Sequence, residues 1–106
     1  MVNMPRRYTG LPMVVWCSPR NAPHDVRVKV SPVHGDRMIE QQAIAIALRP
    51  EPHYPDDEIR RLSPQDFEAV SSWLRRTQDL LLSYWNFELD TNEFRVRIAE
   101  RTADPP

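Results

Sequence analysis

The segment that decides the fold spans residues 62–87 and reads LSPQDFEAVSSWLRRTQDLLLSYWNF. Five residues at its start each suit the beginning of a helix: Leu62, Ser63, Pro64, Asp66 and Phe67. The serine can cap orphan backbone amides, the proline fits the first helical position, and the aspartate places negative charge near the positive end of the helix dipole. The leucine and phenylalanine occupy the positions of a hydrophobic staple. We therefore expect a helix that begins at Pro64.

The same segment predicts an amphipathic helix over residues 64–86, because apolar side chains recur at spacings of three and four. Trp73, Leu80 and Phe87 add a second apolar seam beside the first, so the apolar face spans roughly 200° where one packed face needs about 100°. Two arrangements stay open at this point. The N-terminal or C-terminal segment folds over the seam, or the seam is an interface with a second copy or another protein. In the second case Trp73, Leu80 and Phe87 are the partner-binding residues.

Three segments before the helix are typical of strands. Residues 11–17 form a nearly continuous apolar run, as in a buried strand, and residues 26–30 alternate valine with charged side chains. These two strands are expected to form a hairpin. Residues 43–48 alternate alanine with isoleucine and leucine, which favours a third strand over a helix, although alanine itself favours helix.

Two interpretations compete for the chain after the long helix. Phe94, Val96 and Ile98 alternate with charged residues as in a strand, whereas Asp90 and Glu93 have the spacing of a helix capping box. We favour the strand over 94–98. The predicted fold is α+β, with a small antiparallel sheet of three to four strands packed against one long amphipathic helix.

The composition predicts one globular domain over residues 1–106, with flexible arms at 1–8 and 101–106, because hydrophobic residues make up 41% of the chain and charged residues 27%. No apolar run has the length of a bilayer span, and the first residues lack the features of a secretory signal, which favours a cytoplasmic location. The net charge is −1. Basic residues concentrate in 1–30 and acidic ones in 36–58, which favours contact between the two segments over nucleic-acid binding.

Three histidines lie in predicted loops, and with nearby carboxylates they provide four candidate metal ligands: His24, His53, Asp56 and Asp57. Their spacing matches no metal motif, so the sequence predicts neither a metal nor another cofactor. Cys17 lies in an apolar strand, where burial raises a thiol pKa and makes the side chain inert. The chain has only two glycines, so a glycine-rich phosphate loop is missing. These features favour a protein that is not an enzyme.

A series of short motifs is similar to a known family: Met4-Pro5, Gly10, Pro23-His24 before Val26 and Val28, the Leu62-Ser63 helix start, Trp73, and Leu80-Leu81 before Trp85. Over residues 4–94 the chain resembles the small bacterial family called domain of unknown function 4160. That family carries a Pro-Pro-His-x-His-Val segment, and here Ala22 replaces its first proline and only His24 carries over. The resemblance implies a shared fold and a gene often placed beside that of another small protein, as in toxin and antitoxin pairs.

Two functional hypotheses follow from the sequence. The first is a non-enzymatic protein-binding domain, either a homodimer or one member of a toxin–antitoxin-like pair, that uses the apolar seam of the long helix. The alternative is a small metal-dependent or nucleic-acid-processing enzyme that uses His24 and His53 with Asp56 or Asp57.

Overall fold

The computed structural model describes residues 1–20 and 23–103. Four strands form one antiparallel sheet in sequence order: β1 (Val2–Met4), β2 (Val15–Cys17), β3 (Arg27–Val30) and β4 (Ile44–Ala47). A short 3₁₀ turn at Glu40–Gln42 precedes β4. Three helices accompany the sheet: α1 (Arg6–Thr9), α2 (Pro64–Trp85) and α3 (Thr91–Ala103). The prediction of an α+β fold with an antiparallel sheet and one long helix is confirmed.

The sheet has one face in the core because successive side chains of a strand point to opposite faces. On β3, Val28 and Val30 are buried, whereas Arg27 and Lys29 lie on the other face and stay partly exposed. The predicted hairpin is present, since β2 and β3 pair with Trp16 directly opposite Lys29. The core combines the inner face of the sheet with apolar side chains of α2 and α3.

Residues 44–47 form a strand, as the alternation of isoleucine and alanine indicated. Ile44 and Ile46 enter the core and pair with Val30 and Val28 of β3. The outer edge of β4 is covered by the chain that follows it: the Glu58 carboxylate accepts a hydrogen bond of 2.6 Å from the Ala45 amide. The guanidinium of Arg60 donates to the Ala43 carbonyl at 2.6 Å. These contacts block the edge against pairing with another strand.

Residues 1–8 and 101–106 were expected to be flexible arms, but the structure assigns most of them to regular elements. Residues 1–8 contain β1 and most of α1, and residues 101–103 are the last of α3. The two ends meet, since the Thr102 hydroxyl donates to the Tyr8 carbonyl at 2.8 Å. Gly10 ends α1 with a φ of 73°, and a Cβ there would lie 3.0 Å from the Thr102 side chain. Residues 104–106 lie outside the described residues.

The prediction of a strand over residues 94–98 is wrong, because this segment belongs to α3. The helix begins with the contact that the capping-box spacing indicated: the Asp90 carboxylate accepts a hydrogen bond of 2.8 Å from the Glu93 amide. Phe94 and Ile98 are both fully buried, and a spacing of four places them on one helical face. Val96, the residue that created the apparent alternation, is 55% exposed. The apolar pairing at four residues therefore outweighs the alternation.

The start of α2 agrees with its sequence signals. Ser63 has extended backbone angles, and its hydroxyl accepts a hydrogen bond of 3.1 Å from the Asp66 amide. Leu62 is buried, and Phe67 stacks on Tyr54 with ring centroids 4.7 Å apart. No helix in the described part of the chain is long and apolar enough to cross a membrane.

We expect Ser63→Ala to lower the free energy of unfolding by about 1 kcal/mol, because the Asp66 amide loses its side-chain acceptor. Urea denaturation followed by circular dichroism measures the change. Ser72→Ala is the matched control: Ser72 is exposed in the middle of α2, where alanine is the better helix former. Equal stability of the two variants would contradict the cap.

Candidate functional site

The apolar seam of α2 is divided between the core and the surface. Trp73 is fully buried and Leu80 is 6% exposed, so the prediction that both contact a partner is wrong. Helix α3 packs against α2, and its residues lie around Leu80, whereas Trp73 belongs to the core cluster. The first arrangement, in which the chain covers its own seam, therefore holds for Trp73 and Leu80. Phe87, the third, is 68% exposed.

Phe87 has an unusual backbone conformation as well as an exposed ring. Helix α2 ends in a Schellman motif, in which the Glu88 amide donates to the Ser83 carbonyl at 2.8 Å and the Phe87 amide to the Tyr84 carbonyl at 3.2 Å. The motif requires a left-handed residue directly after the cap, and Phe87 supplies it with a φ of 62°. Glycine is the usual residue at this position, because a Cβ raises the energy of left-handed backbone.

A cleft opens on the solvent side of the sheet, between the end of β2 and the C-terminal end of α2. Seven residues line its volume of about 170 Å³, of which two are tryptophans and three are basic or imidazole side chains: Met1, Trp16, Ser18, His24, Arg27, Lys29 and Trp85. We call it the Trp16–Trp85 cleft. An open depression of about 390 Å³ adjoins it at His24 and Trp85 and extends to Arg20. Both hollows lie next to the turn that carries Phe87.

The period-two pattern of β2 and β3 places the polar wall of the cleft. Trp16, Arg27 and Lys29 all lie on the sheet face opposite the core, since their neighbours in sequence are buried. The indole of Trp16 donates to the Asn3 side chain at 2.9 Å, which holds the ring in place. The valine alternation that predicted β3 therefore also selects the residues that line the cleft.

The loop between β2 and β3 is attached to the end of α2. The His24 ring stacks on the Trp85 ring with centroids 5.9 Å apart, and the Arg20 guanidinium lies 5.8 Å from the Trp85 centroid. The Arg20 amide also donates to the Trp85 carbonyl at 2.9 Å, and its guanidinium donates to the Asn86 side chain at 3.3 Å. Arg20 therefore stays close to Phe87.

The charges around the cleft are only partly compensated. Arg27 bonds Asp57 at 3.3 Å, which is long for a charge-assisted hydrogen bond, and its buried Nε atom has no hydrogen-bond partner. Lys29, the only lysine of the chain, forms no ion pair within residues 1–20 and 23–103. Asp25 lies beside the open depression, but its carboxylate is held by Arg49 in a two-pronged ion pair at 2.7 and 2.8 Å. The cleft itself is positively charged.

The ion pairs of this sheet end make stability depend on pH. The hydrogen bonds from Arg49 to Asp25 and from Arg27 to Asp57 lower the pKa of each carboxyl group. Between α3 and α2, Arg101 lowers the pKa of Asp79 in the same way. A carboxyl group whose pKa is lower in the folded state contributes stability above its unfolded pKa, and that contribution is lost as the pH falls through the folded value.

We therefore expect the melting temperature to be constant near neutral pH and to fall once the pH drops below about 4, the unfolded pKa of an aspartate. Differential scanning calorimetry across this range measures the effect. Arg49→Gln should melt lower at neutral pH and lose less on acidification, because Asp25 then has no partner to lose. A melting temperature that is the same at neutral and strongly acid pH would contradict these pairings.

The candidate metal ligands are not assembled into a site. The imidazoles of His24 and His53 each use Nδ1 in a hydrogen bond to a backbone carbonyl, that of Asp25 at 2.7 Å and that of Glu51 at 2.6 Å. Asp57 is paired with Arg27, and Asp56 is exposed. Within residues 1–20 and 23–103, no group of three His, Cys, Asp or Glu side chains is placed to hold a metal ion.

Two other titratable residues, Cys17 and His34, contribute to the structure of the domain. Cys17 is buried in the core, and burial raises the pKa of its thiol, as its apolar strand indicated. The imidazole of His34 lies 2.9 Å from the Asp66 carboxylate and joins the loop after β3 to the start of α2. The sequence assigned Asp66 to the helix dipole alone, and no spacing signal connected it with His34.

A scan against protein-family models and searches of curated proteins and of solved structures find no significant match. The resemblance to domain of unknown function 4160 therefore stays a prediction.

Proposed function

We propose that this protein is a non-enzymatic protein-binding domain. Its contact region, the Phe87 surface, consists of Phe87, Arg20 and the Trp16–Trp85 cleft. The observation that carries the proposal is the exposed ring of Phe87 on left-handed backbone. An exposed aromatic side chain at a strained position is accounted for if the ring is needed for binding.

The energy of this arrangement supports a binding role. Left-handed backbone costs a residue with a Cβ about 1–2 kcal/mol, which glycine would avoid. With 68% of Phe87 exposed, the ring regains little of that cost by burial in its own chain. Aromatic side chains are the residues that most often dominate the binding energy of interfaces, together with arginine. Arg20 is bonded to Asn86, the residue directly before Phe87, and it is exposed.

Charge decides which kind of partner suits the Phe87 surface. In a symmetric dimer the same patch is used by both copies, so the basic patch of Arg20, Arg27 and Lys29 would face a second patch of the same charge. Like charges across an interface are unfavourable, whereas an acidic partner is attracted to them. Self-association through the β4 edge of the sheet is also opposed, because Glu58 and Arg60 cover it. We therefore propose a different protein with an acidic surface as the partner, in place of a second copy.

The groups that catalysis would need are engaged in the structure of the domain. The His24 and His53 imidazoles bond backbone carbonyls, and Asp25 and Asp57 neutralise arginines. The thiol of Cys17 is buried. These contacts support a binding role over catalysis.

The resemblance described above suggests where to find the partner: the small protein encoded by the adjacent gene, as in a toxin–antitoxin-like pair. Sedimentation equilibrium of the purified protein, alone and with that gene product, tests the proposal. We expect a monomer alone and a heteromeric complex with the product. Phe87→Ala should abolish the complex, whereas Val33→Ala, which removes an exposed side chain of a distant loop, should leave it intact. A stable homodimer that persists in Phe87→Ala would contradict the proposal.

A further inference from the structure

The Trp16–Trp85 cleft has the size and charge of a site for one small anionic group. Its volume of about 170 Å³ is well below that of pockets that take drug-sized ligands. His24, Arg27 and Lys29 line it, and no carboxylate does so among the described residues. A phosphate or carboxylate group would fit such a space and find donors on Arg27 and Lys29.

The donors of the cleft are incompletely satisfied. The Nδ1 atom of His24 donates to the Asp25 carbonyl, so Nε2 of the neutral ring is an acceptor, and the donors that remain for an anion are those of Lys29 and Arg27. The Lys29 ammonium has no ion pair among the described residues. Arg27 has one long ion pair, at 3.3 Å, to an aspartate whose side chain is 73% exposed. An anion in the cleft would supply acceptors that these groups lack, and Arg27 could exchange Asp57 for it at small cost.

We propose that the Trp16–Trp85 cleft binds the anionic head of one side chain of the protein partner, a phosphoserine or a glutamate or aspartate. This inference rests on the proposed function and names the chemistry that the partner presents beside Phe87. The indole ring of Trp16, which is partly exposed, forms the apolar wall that the stem of such a side chain contacts. Arg20, next to the cleft, adds attraction for a second acidic residue.

The geometry favours a single side chain over a nucleic-acid backbone. A strand of nucleic acid requires a basic groove that follows several phosphates, with aromatic faces on which successive bases stack. Here the basic region ends at the carboxylates of Asp25 and Asp57, which would repel neighbouring phosphates. Trp85 is 2% exposed, and His24 and Arg20 lie against its ring, so this face is closed to a base.

Nuclear magnetic resonance titrations test the inference without the partner. The probes are inorganic phosphate and three short peptides of the same sequence that carry phosphoserine, glutamate or serine at the central position. We expect saturable shifts of the Trp16 and Trp85 indole signals with the phosphoserine or the glutamate peptide, and no saturation with the serine peptide. The two charged peptides show which head group is preferred, and inorganic phosphate shows whether the free ion suffices. No saturable shift with either charged peptide would overturn the inference.

Three variants and one competitor complete the experiment. Lys29→Gln and Arg27→Gln should each weaken peptide binding about tenfold or more, since a hydrogen bond to a charged group is lost. Arg76→Gln removes one positive charge on exposed α2 and should bind as the unmodified protein does. Equal binding by Lys29→Gln, or displacement of the peptide by a short single-stranded DNA at lower concentration than the peptide itself, would overturn the inference. If the protein partner binds Lys29→Gln unchanged, the cleft proposal fails while the Phe87 proposal stands.

Discussion

Replacing Phe94 with alanine should destabilise the domain by about 3–5 kcal/mol. Phe94 is fully buried between α3 and the rest of the core, and its ring stacks on Tyr84 with centroids 4.4 Å apart. A cavity left in a well-packed core adds to the lost transfer energy. Because domains of this size are stable by only about 5–15 kcal/mol, the variant is expected to be the least stable of those considered. Urea denaturation followed by far-ultraviolet circular dichroism gives the change.

The matched control for Phe94 is Val96→Ala on the same helix. Val96 is 55% exposed, so its truncation should change the free energy of unfolding by no more than about 0.5 kcal/mol. The contrast tests the helical assignment of residues 91–103, since on a strand Phe94, Val96 and Ile98 would share one face. Similar losses for the two variants would contradict the helix.

Leu80→Asp should destabilise the fold itself, which differs from a change that disrupts only an interface. Leu80 is 6% exposed at the contact of α2 with α3. The variant loses the burial of leucine and also places a carboxylate in a poorly hydrated site, which together cost about 3 kcal/mol or more. Leu80 borders a groove between α2 and α3 that Arg97 and Arg101 also line, and these two arginines can offset part of the cost. Thermal denaturation measures the loss.

Ser72→Asp is the control for the added charge, because Ser72 is exposed on the same helix. It should melt within a few degrees of the unmodified protein, since surface substitutions usually change stability by less than about 0.5 kcal/mol. If Leu80→Asp kept the native melting temperature and changed only the oligomeric state in solution, Leu80 would be an interface residue and its burial within the chain would be wrong.

Much of the fold could be predicted from local signals that agree with one another. The start of α2 is predictable because several residues around Ser63 each satisfy a separate requirement of a helix terminus. Strand β3 is predictable because valine alternates with charge at a period of two, which places the valines on one face of a strand and on no single face of a helix. In β4 the alternation of isoleucine with alanine, which places the isoleucines in the core, outweighs the helix propensity of the alanines. In each case the local pattern and the packing of the core require the same structure.

One error at the C-terminal segment produces a second error on α2. Phe94, Val96 and Ile98 have the spacing of two that is typical of a strand. Phe94 and Ile98 alone have the spacing of four that is typical of a helix, and only tertiary packing decides between the two. If this segment is assigned to the sheet, the N-terminal segment or a partner is left to cover Trp73 and Leu80. The burial of Leu80 and the helical structure of α3 are therefore linked.

The Trp16–Trp85 cleft could not be predicted, because its parts come from distant segments of the chain. Trp16 belongs to β2, His24 to the following loop and Trp85 to the end of α2. No spacing in the sequence connects them. The left-handed conformation of Phe87 could not be predicted for another reason. Helices usually have glycine at such a position, and this helix has phenylalanine.

The measurement that tests the central claim most directly compares Phe87→Gly with Phe87→Ala for both stability and partner binding. Both variants remove the ring, but only glycine accepts a φ of 62° without strain. We expect the free energy of unfolding of Phe87→Gly, measured by urea denaturation, to exceed that of Phe87→Ala by about 1 kcal/mol. Phe87→Gly should also be at least as stable as the unmodified protein. Both variants should lose the partner. If Phe87→Gly is no more stable than Phe87→Ala and still binds the partner with unchanged affinity, then Phe87 is neither strained nor a contact residue, and the proposed function is wrong.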